Sequence, residues 1–183
     1  MTDSTEFVVL CDADGNPTGT ADKATVHTHE TPLHLAFSCY LQGADGRLLL
    51  TRRALGKATW PGVWTNSFCG HPGPGEATEH ALHRRAFQEL GVHVGELFDV
   101  QLAVPDFSYR AVDASGVMEW EICPVYTAHV RDVELVAPRP AEVKEFEWVA
   151  VDEVLRRVRT SPHGFSPWMV EQLADPRLVA QLT

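Results

Sequence analysis

The chain has 183 residues, of which 44% are hydrophobic and 22% charged, ordinary values for a globular protein that argue against gross disorder. Its formal net charge of −10 argues against the basic surface of a nucleic-acid-binding protein, although a local basic pocket for an anionic substrate is compatible with it. No apolar run reaches the roughly 20 residues that cross a bilayer, and the four cysteines come without a secretory start. We therefore expect a cytoplasmic protein with reduced thiols, and neither a nucleic acid nor a membrane as its partner.

The N-terminal part of the chain is predicted to consist of strands. After a loose terminus at residues 1–5, residues 7–12 have the composition of a strand, and a turn over 14–17 ends it. Residues 33–42 alternate between apolar and polar positions, and 47–51 form the next strand after a short turn. These two strands are predicted to pair as a hairpin.

The clearest helix is predicted over residues 76–90. Leu82, Ala86 and Leu90 recur at a spacing of four residues, which places them on one helix face. Gly91 follows directly, at the position where helices commonly end on a glycine.

The C-terminal part is predicted to add strands and two more helices. One helix is expected to begin at Asp152 as its N-cap, and another to cover 167–174. Further strands are expected over residues 100–111, 117–130 and 145–149. The whole pattern indicates an α/β (α+β) fold, with a mixed β-sheet between helices in a single domain over residues 1–183.

The run from Trp60 to Pro72 is dense in glycine, proline and tryptophan, which favours a shaped loop over a regular helix. It places the thiol of Cys69 two residues from the imidazole of His71. Two interpretations are open at this point. The pair is either an imidazole-activated nucleophile or a small packed cysteine beside a turn histidine.

Several side chains are of the type that binds borderline divalent ions such as zinc or manganese. Glu119 and Glu121 are two apart on a predicted strand, so both carboxylates project from the same face and repel one another unless a cation or a shared proton lies between them. A solvated sheet face with two charges remains an equal alternative. The histidine candidates are His27, His34 and His71.

Residues 70–92 resemble the Nudix box, a loop–helix–loop whose carboxylates hold a metal on a diphosphate. The matching positions are Gly70, Glu76, Arg84, Glu89 and Gly91-Val92. The resemblance is incomplete, because Arg85 and Gln88 replace two of the three glutamates that hold metal in an active Nudix hydrolase. Arg85 is one turn before Glu89 and forms either an ordinary helix ion pair or one wall of a pyrophosphate pocket.

Further motifs resemble those of type I isopentenyl diphosphate isomerase, a family with a Nudix-like fold. They occur in family order over roughly residues 7–170. They are His-x6-His-Leu-Ala-Phe from 27, Thr-Arg-Arg-Ala-Leu-x-Lys at 51–57, Trp-Pro-Gly-Val-Trp-Thr-Asn at 60–66, Cys-Gly-His-Pro at 69–72, Glu-x-Glu-x-Cys-Pro at 119–124 and Phe-Ser-Pro-Trp-Met at 165–169.

This resemblance implies an enzyme of isoprenoid biosynthesis that interconverts isopentenyl and dimethylallyl diphosphate through a tertiary carbocation. It implies that Cys69 and Glu121 carry protons on opposite faces of the substrate, with the choice of acid and base in the forward direction left open. It also implies that Tyr109 hydrogen-bonds near the glutamate and that Trp168 faces the cation.

The resemblance further implies two metal sites and an anion site. The first divalent ion, Mn²⁺, Zn²⁺ or Mg²⁺, would be held by His27, His34, His71, Glu119 and Glu121. A magnesium ion on the diphosphate would be held by Glu89 and the Cys69 carbonyl. The diphosphate itself would be bound by Lys23, Arg53, Lys57 and Arg85.

Two other functions are weighed against this one. A Nudix hydrolase of another diphosphate is disfavoured by the two lost glutamates, and a non-catalytic Nudix-like module has no reason to keep Cys69, Glu121 and three histidines together.

We expect a monomer or weak homodimer. Arg52 is excluded from the site because it is on the strand face opposite Arg53, and three cysteines are assigned to packing: Cys11, Cys39 and Cys123.

Overall fold

The computed structural model describes residues 6–183 and contains strands and helices in alternating groups. The strands, in chain order, are β1 (Phe7–Cys11), β2 (Pro17–Asp22), β3 (His34–Leu35), β4 (Phe37–Gly43), β5 (Leu48–Arg53), β6 (Trp64–Thr65), β7 (Phe68–Gly70), β8 (Leu97–Val104), β9 (Ser108–Val112), β10 (Met118–Ile122), β11 (Val125–Val130) and β12 (Val143–Val149). The helices are α1 (Thr78–Leu90), α2 (Val151–Thr160), α3 (Pro167–Gln172) and α4 (Pro176–Leu182), with 3₁₀ turns at Val133–Leu135 and Pro162–Gly164. The expected loose terminus at 1–5 lies outside the described residues.

The strands form two mixed sheets rather than the one sheet expected. A five-stranded sheet has the order β2-β1-β3-β10-β9, and a seven-stranded sheet has the order β12-β5-β4-β11-β8, with β6 beside β5 and β7 beside β4. In each sheet one central pair is parallel, β3 with β10 in the first and β4 with β11 in the second, and the other pairs are antiparallel.

The chain passes between the two sheets in the middle of segments that were predicted as single strands. The segment 33–42 divides into β3 and β4 at Ala36, 100–111 divides into β8 and β9 at residues 105–107, and 117–130 divides into β10 and β11 at residues 123–124. Pro124 has no N–H for a sheet ladder, which favours a break there. The first and last of these crossings lie side by side, because Ala36 N donates to Ile122 O at 2.8 Å and Ser38 N donates to Pro124 O at 3.1 Å.

The seven-stranded sheet is buried on both faces. On one face α1 packs Leu82 and Leu90 against Phe37 and Leu49, and on the other α2, α3 and α4 cover Leu50 and its neighbours. A sheet covered on both faces explains why β5 begins with three consecutive buried leucines instead of an alternating pattern. The predicted α+β fold, with a mixed sheet between helices, is confirmed.

The helix predictions are mostly confirmed. Helix α1 ends where expected, and Gly91 adopts a left-handed conformation with φ of 72° and donates to Phe87 O at 3.0 Å. Asp152 is not an N-cap, since α2 begins at Val151 and no side chain caps it. Strand β2 and helix α4 were not predicted. Within residues 6–183, no helix is both long and apolar enough to cross a membrane.

Replacing Gly91 with alanine is expected to destabilise the protein by about 1–2 kcal/mol, because an L side chain is strained in the left-handed region. A Cβ there would also lie 3.1 Å from Ala137 O. Gly56→Ala is the matched control, since Gly56 has no positive φ and no neighbour within 4 Å of the added carbon. Urea unfolding of both variants measures the difference, and equal losses would contradict the prediction.

Candidate active site

A cavity of about 300 Å³ is lined by residues from both sheets and from α1 and α3. Apart from His34, which is fully buried behind it, every site residue predicted from the sequence lines this cavity. The predicted residues it brings together are Lys23, His27, Arg53, Lys57, Cys69, His71, Arg85, Glu89, Tyr109, Glu119, Glu121 and Trp168.

Three histidines converge on one carboxylate oxygen at the wall of the cavity. The Nε2 atoms of His71, His34 and His27 lie 3.0, 3.4 and 3.8 Å from Glu121 Oε1. The parallel register of β3 and β10 pairs His34 with Glu121, and a hydrogen bond of 2.8 Å between His34 Nδ1 and Pro32 O fixes the ring. These four side chains offer ligand atoms that all lie within 4.8 Å of one another.

The donor set fits a divalent metal ion. His27 Nε2 and His34 Nε2 are buried without a hydrogen-bond partner, and both point into the cluster. Burial lowers the pKa of His71 to about 4, which keeps its imidazole neutral at physiological pH. Burial alone would raise the pKa of Glu121, but the histidines around its carboxylate lower it well below its usual value. Imidazoles around a carboxylate are ligands of a borderline ion.

Glu119 lies beside this cluster but outside the group of four. Its carboxylate accepts hydrogen bonds from Thr59 Oγ1 and, at 2.6 Å, from the Tyr109 hydroxyl, which also lies 3.0 Å from Glu121 Oε2. The antiparallel register of β9 and β10 pairs Tyr109 with Glu121, so the hydroxyl reaches both carboxylates. Burial and these two charges raise the pKa of Tyr109 well above its usual value, which keeps the hydroxyl a donor.

Cys69 belongs to the seven-stranded sheet, and the groups that it contacts are not those that His71 contacts. Its Sγ lies 3.5 Å from Ser38 Oγ and 3.3 Å from the Asn66 amide, whereas His71 is directed to Glu121. Burial raises the pKa of Cys69 to about 12, so the group is a neutral thiol rather than a thiolate. The interpretation of Cys69 and His71 as an activated nucleophile pair therefore has no support in the geometry.

The Asn66 amide organises the surroundings of the thiol. Its Oδ1 accepts from Trp168 Nε1 at 3.0 Å, and its Nδ2 donates to two backbone carbonyls, those of Cys39 and Phe68. Behind the thiol, Gln172 Nε2 donates to Ser38 Oγ at 2.9 Å. Asn66 and Gln172 were not singled out from the sequence, since single amides in a loop or helix carry no distinguishing spacing.

Trp168 forms an aromatic wall of the cavity. It is 2% exposed, and its ring centroid lies 5.3 Å from that of Trp60 and 5.6 Å from that of Tyr109. The Arg53 guanidinium lies 5.3 Å from the same ring. An electron-rich face of this kind attracts cationic charge.

The cavity is also lined by cationic side chains, and each lysine among them is paired with a carboxylate. Lys23 contacts Glu6 at 2.5 Å, and Lys57 pairs with Glu142. Arg53 instead donates to Thr59 O, at 3.0 and 2.8 Å.

Arg85 is another cation that lines the cavity, and it contacts several oxygens. They are Glu89 Oε1 at 2.5 Å, Cys69 O at 3.4 Å and Glu142 Oε2 at 3.5 Å. Glycine at position 70 is required for this approach, since a Cβ there would lie 2.5 Å from Arg85 Cγ and 2.8 Å from Phe37 Cζ.

The residues assigned to other roles lie outside the cavity, with one correction. Arg52 donates to Gly62 O and pairs with Glu145, consistent with its exclusion. Cys39 and Cys123 are buried, but Cys11 is partly exposed and is not a core thiol, because β1 is buried only at its centre. Glu142 lines the cavity and was missed, because it follows a proline-rich loop and belongs to no recognised motif.

Comparison with known proteins connects this site to a family. The model of the NUDIX domain matches residues 32–169. The isopentenyl-diphosphate Delta-isomerase of Corynebacterium glutamicum (strain ATCC 13032) is 54% identical over 178 residues, covering 97% of this chain and 94% of the relative. The enzyme of the same name from Leifsonia xyli subsp. xyli is 59% identical over 173 residues, covering 94% and 92%.

Solved structures agree on the fold. DR0079 from Deinococcus radiodurans has a TM-score of 0.71 at 18% identity, covering 92% of this chain and 98% of that one. The MutT protein from Methanosarcina mazei Go1 has a TM-score of 0.60 at 18% identity, covering 78% and 91%. From the NUDIX match and the curated relatives, this chain belongs to the NUDIX domain proteins and, among them, to the isopentenyl-diphosphate Delta-isomerase family.

Proposed function

We propose that this protein interconverts isopentenyl diphosphate and dimethylallyl diphosphate; its relatives are named isopentenyl-diphosphate Delta-isomerases. Relatives at 53–59% identity over nearly the whole chain support this function. The observation that carries it is the arrangement of the cavity. A neutral thiol from one sheet and a carboxylate from the other line the same space, and lysines and arginines line it as well.

The reaction needs this combination of groups. Moving the double bond adds one proton to an unactivated alkene and removes another from a neighbouring carbon, so the proton count is unchanged. We assign these transfers to Cys69 and Glu121, one of which donates while the other accepts in either direction. Because the resting thiol is un-ionised, it holds a proton that it can give to the alkene, and it is a thiolate only after that transfer.

Tyr109 and Trp168 complete the hydrocarbon end of the proposed site. The Tyr109 hydroxyl holds the Glu121 carboxylate in place. The Trp168 indole presents its face to the developing tertiary cation, an interaction worth on the order of 2 kcal/mol when water is excluded. The low exposure of both side chains supports a dry site.

We assign His27, His34, His71, Glu119 and Glu121 as ligands of one divalent ion, Mn²⁺, Zn²⁺ or Mg²⁺. When bound, such an ion acts as a Lewis acid that polarises the Glu121 carboxylate. The unpartnered Nε2 atoms of His27 and His34 support this assignment. Glu119 would have to exchange its Thr59 contact for the ion.

The diphosphate is assigned to Lys23, Arg53, Lys57 and Arg85. Arginine binds phosphate oxygens as a fork, and lysine binds them as a compact charge. We assign Glu89 and the Cys69 carbonyl as protein ligands of a magnesium ion that accompanies the diphosphate. Both oxygens already lie together at one guanidinium, that of Arg85.

Hydrolysis of another diphosphate is not favoured. On α1 the positions of two glutamates of the Nudix box are occupied by Arg85 and Gln88, whose side chains are hydrogen-bonded to one another at 3.1 Å. Only Glu89 remains there to hold metal. Incubation with nucleoside diphosphates and Mg²⁺ is expected to release no phosphate, and release would restore the hydrolase alternative.

We further propose a cytoplasmic protein that is a monomer or weak homodimer. All four cysteines are free, which suits a reducing compartment. Sedimentation over a range of protein concentrations tests the oligomeric state.

Cys69→Ala and Glu121→Gln are each expected to lower turnover by about 10²–10⁴-fold, because each removes one proton carrier. The measurement is conversion of isopentenyl diphosphate in deuterated water, followed together with deuterium uptake into substrate and product. Cys11→Ala is the control, since this thiol lies outside the cavity. Near-normal turnover in both site variants would refute the assignment.

His71→Gln is expected to weaken retention of the divalent ion by at least about tenfold, because it removes one ligand of the cluster. His129→Gln is the matched control, because His129 pairs with Asp99 outside the cavity. Metal content after dialysis against a graded chelator gives the comparison. Equal metal content in the wild type and His71→Gln would argue against the histidine site.

A further inference from the structure

Glu142 has no role in the function proposed above, yet its carboxylate lies among the cations assigned to the diphosphate. It pairs with Lys57 Nζ and lies 3.5 Å from Arg85 Nη2. The side chain of Lys57 is 26% exposed, that of Arg85 6% and that of Glu142 25%. Water therefore screens these contacts only partly.

The backbone of Glu142 is held by two hydrogen bonds near the pocket, and a third holds the adjoining segment. Its carbonyl accepts from Ala54 N at 3.0 Å, at the start of the turn that carries Lys57, and its N–H donates to Arg139 O at 2.9 Å. Arg139 N in turn donates to Glu89 O at 2.9 Å, which ties the segment to the end of α1. Any movement of the carboxylate therefore takes place by rotation of the side chain rather than by movement of the loop.

A carboxylate in this position has two opposite consequences. In the free protein it holds Lys57 and Arg85 close together, although their like charges repel. Toward an anion it is a competitor, since a diphosphate that approaches both cations also approaches Glu142 and is repelled by it. The two effects are reconciled if the carboxylate leaves when the anion arrives.

We propose that Glu142 is the internal counter-ion of the diphosphate pocket and that the diphosphate of the substrate displaces its carboxylate from Lys57 and Arg85. The inference rests on the proposed function, because it takes these cations as the diphosphate site. Glu142 then sets the affinity of the pocket for the diphosphate in two ways. Without substrate, its carboxylate keeps Lys57 and Arg85 together. With substrate, it competes for these cations, so the diphosphate binds more weakly than it would without this carboxylate.

Titration calorimetry with inorganic pyrophosphate, in buffer without added Mg²⁺, tests the displacement directly. Glu142→Gln keeps the shape of the side chain and removes its charge, so it is expected to lower the Kd for pyrophosphate by about three- to tenfold, with a smaller gain at high salt. Glu145→Gln is the matched control, on the strand β12 that directly follows Glu142. Glu145 pairs with Arg52 outside the cavity, so the Kd of Glu145→Gln for pyrophosphate is expected to equal that of the wild type.

Glu142→Asp is a second variant that keeps the charge but shortens the reach, and it is expected to lower the Kd by less than Glu142→Gln. An unchanged or higher Kd for Glu142→Gln without Mg²⁺ would overturn the counter-ion role. A higher Kd found only with Mg²⁺ would also overturn it, because it would indicate that Glu142 is a metal ligand. If the wild type itself bound no pyrophosphate under either condition, the diphosphate site of the proposed function would be wrong, which separates that failure from this one.

Discussion

The whole site depends on two parallel strand pairings that lie next to each other. The chain leaves the five-stranded sheet at Ala36 and enters the seven-stranded one, and a second segment makes the same passage at Pro124 beside it. Before the crossing, β3 sets His34 opposite Glu121; after it, β4 sets Ser38 opposite Cys69. His34 in the metal-type cluster and Ser38 beside the thiol are therefore only four positions apart in the chain. Since the side-chain period of a strand is two, a slip of one residue would reverse these faces.

The cavity combines two kinds of environment. Around Cys69 and Tyr109, burial keeps the thiol and the hydroxyl un-ionised, which suits chemistry on a hydrocarbon. Around the lysines, carboxylates offset the mutual repulsion of the cations, as Glu6 does for Lys23. This local pairing explains how a chain with a net charge of −10 contains a basic pocket. Net charge describes the surface field of a protein and says little about one enclosed site.

Much of the site could be predicted from the sequence, because its residues occur in motifs whose order is characteristic of a family. The helix ending at Gly91 and the shared face of Glu119 and Glu121 follow from local periodicity. The division into two sheets does not, since hydrophobic alternation continues through Ala36 and contains no sign of a change of partner strand. Glu142 was missed for a related reason: it reaches the pocket only through the fold, by contacts between distant segments that local patterns do not record.

One amide connects the two sides of the hydrocarbon end. Asn66 Oδ1 receives the indole N–H of Trp168 and also lies within hydrogen-bond distance of the Cys69 sulfur, while its Nδ2 is fixed by backbone carbonyls. The thiol and the aromatic wall thus share a single anchor. Replacing Trp168 with a smaller residue, to admit a bulkier hydrocarbon, would remove one of the hydrogen bonds that orient the Asn66 amide. The Cys69 thiol, which contacts the same amide, would then lose its orientation too. Substrate size and proton delivery are therefore coupled properties of this scaffold.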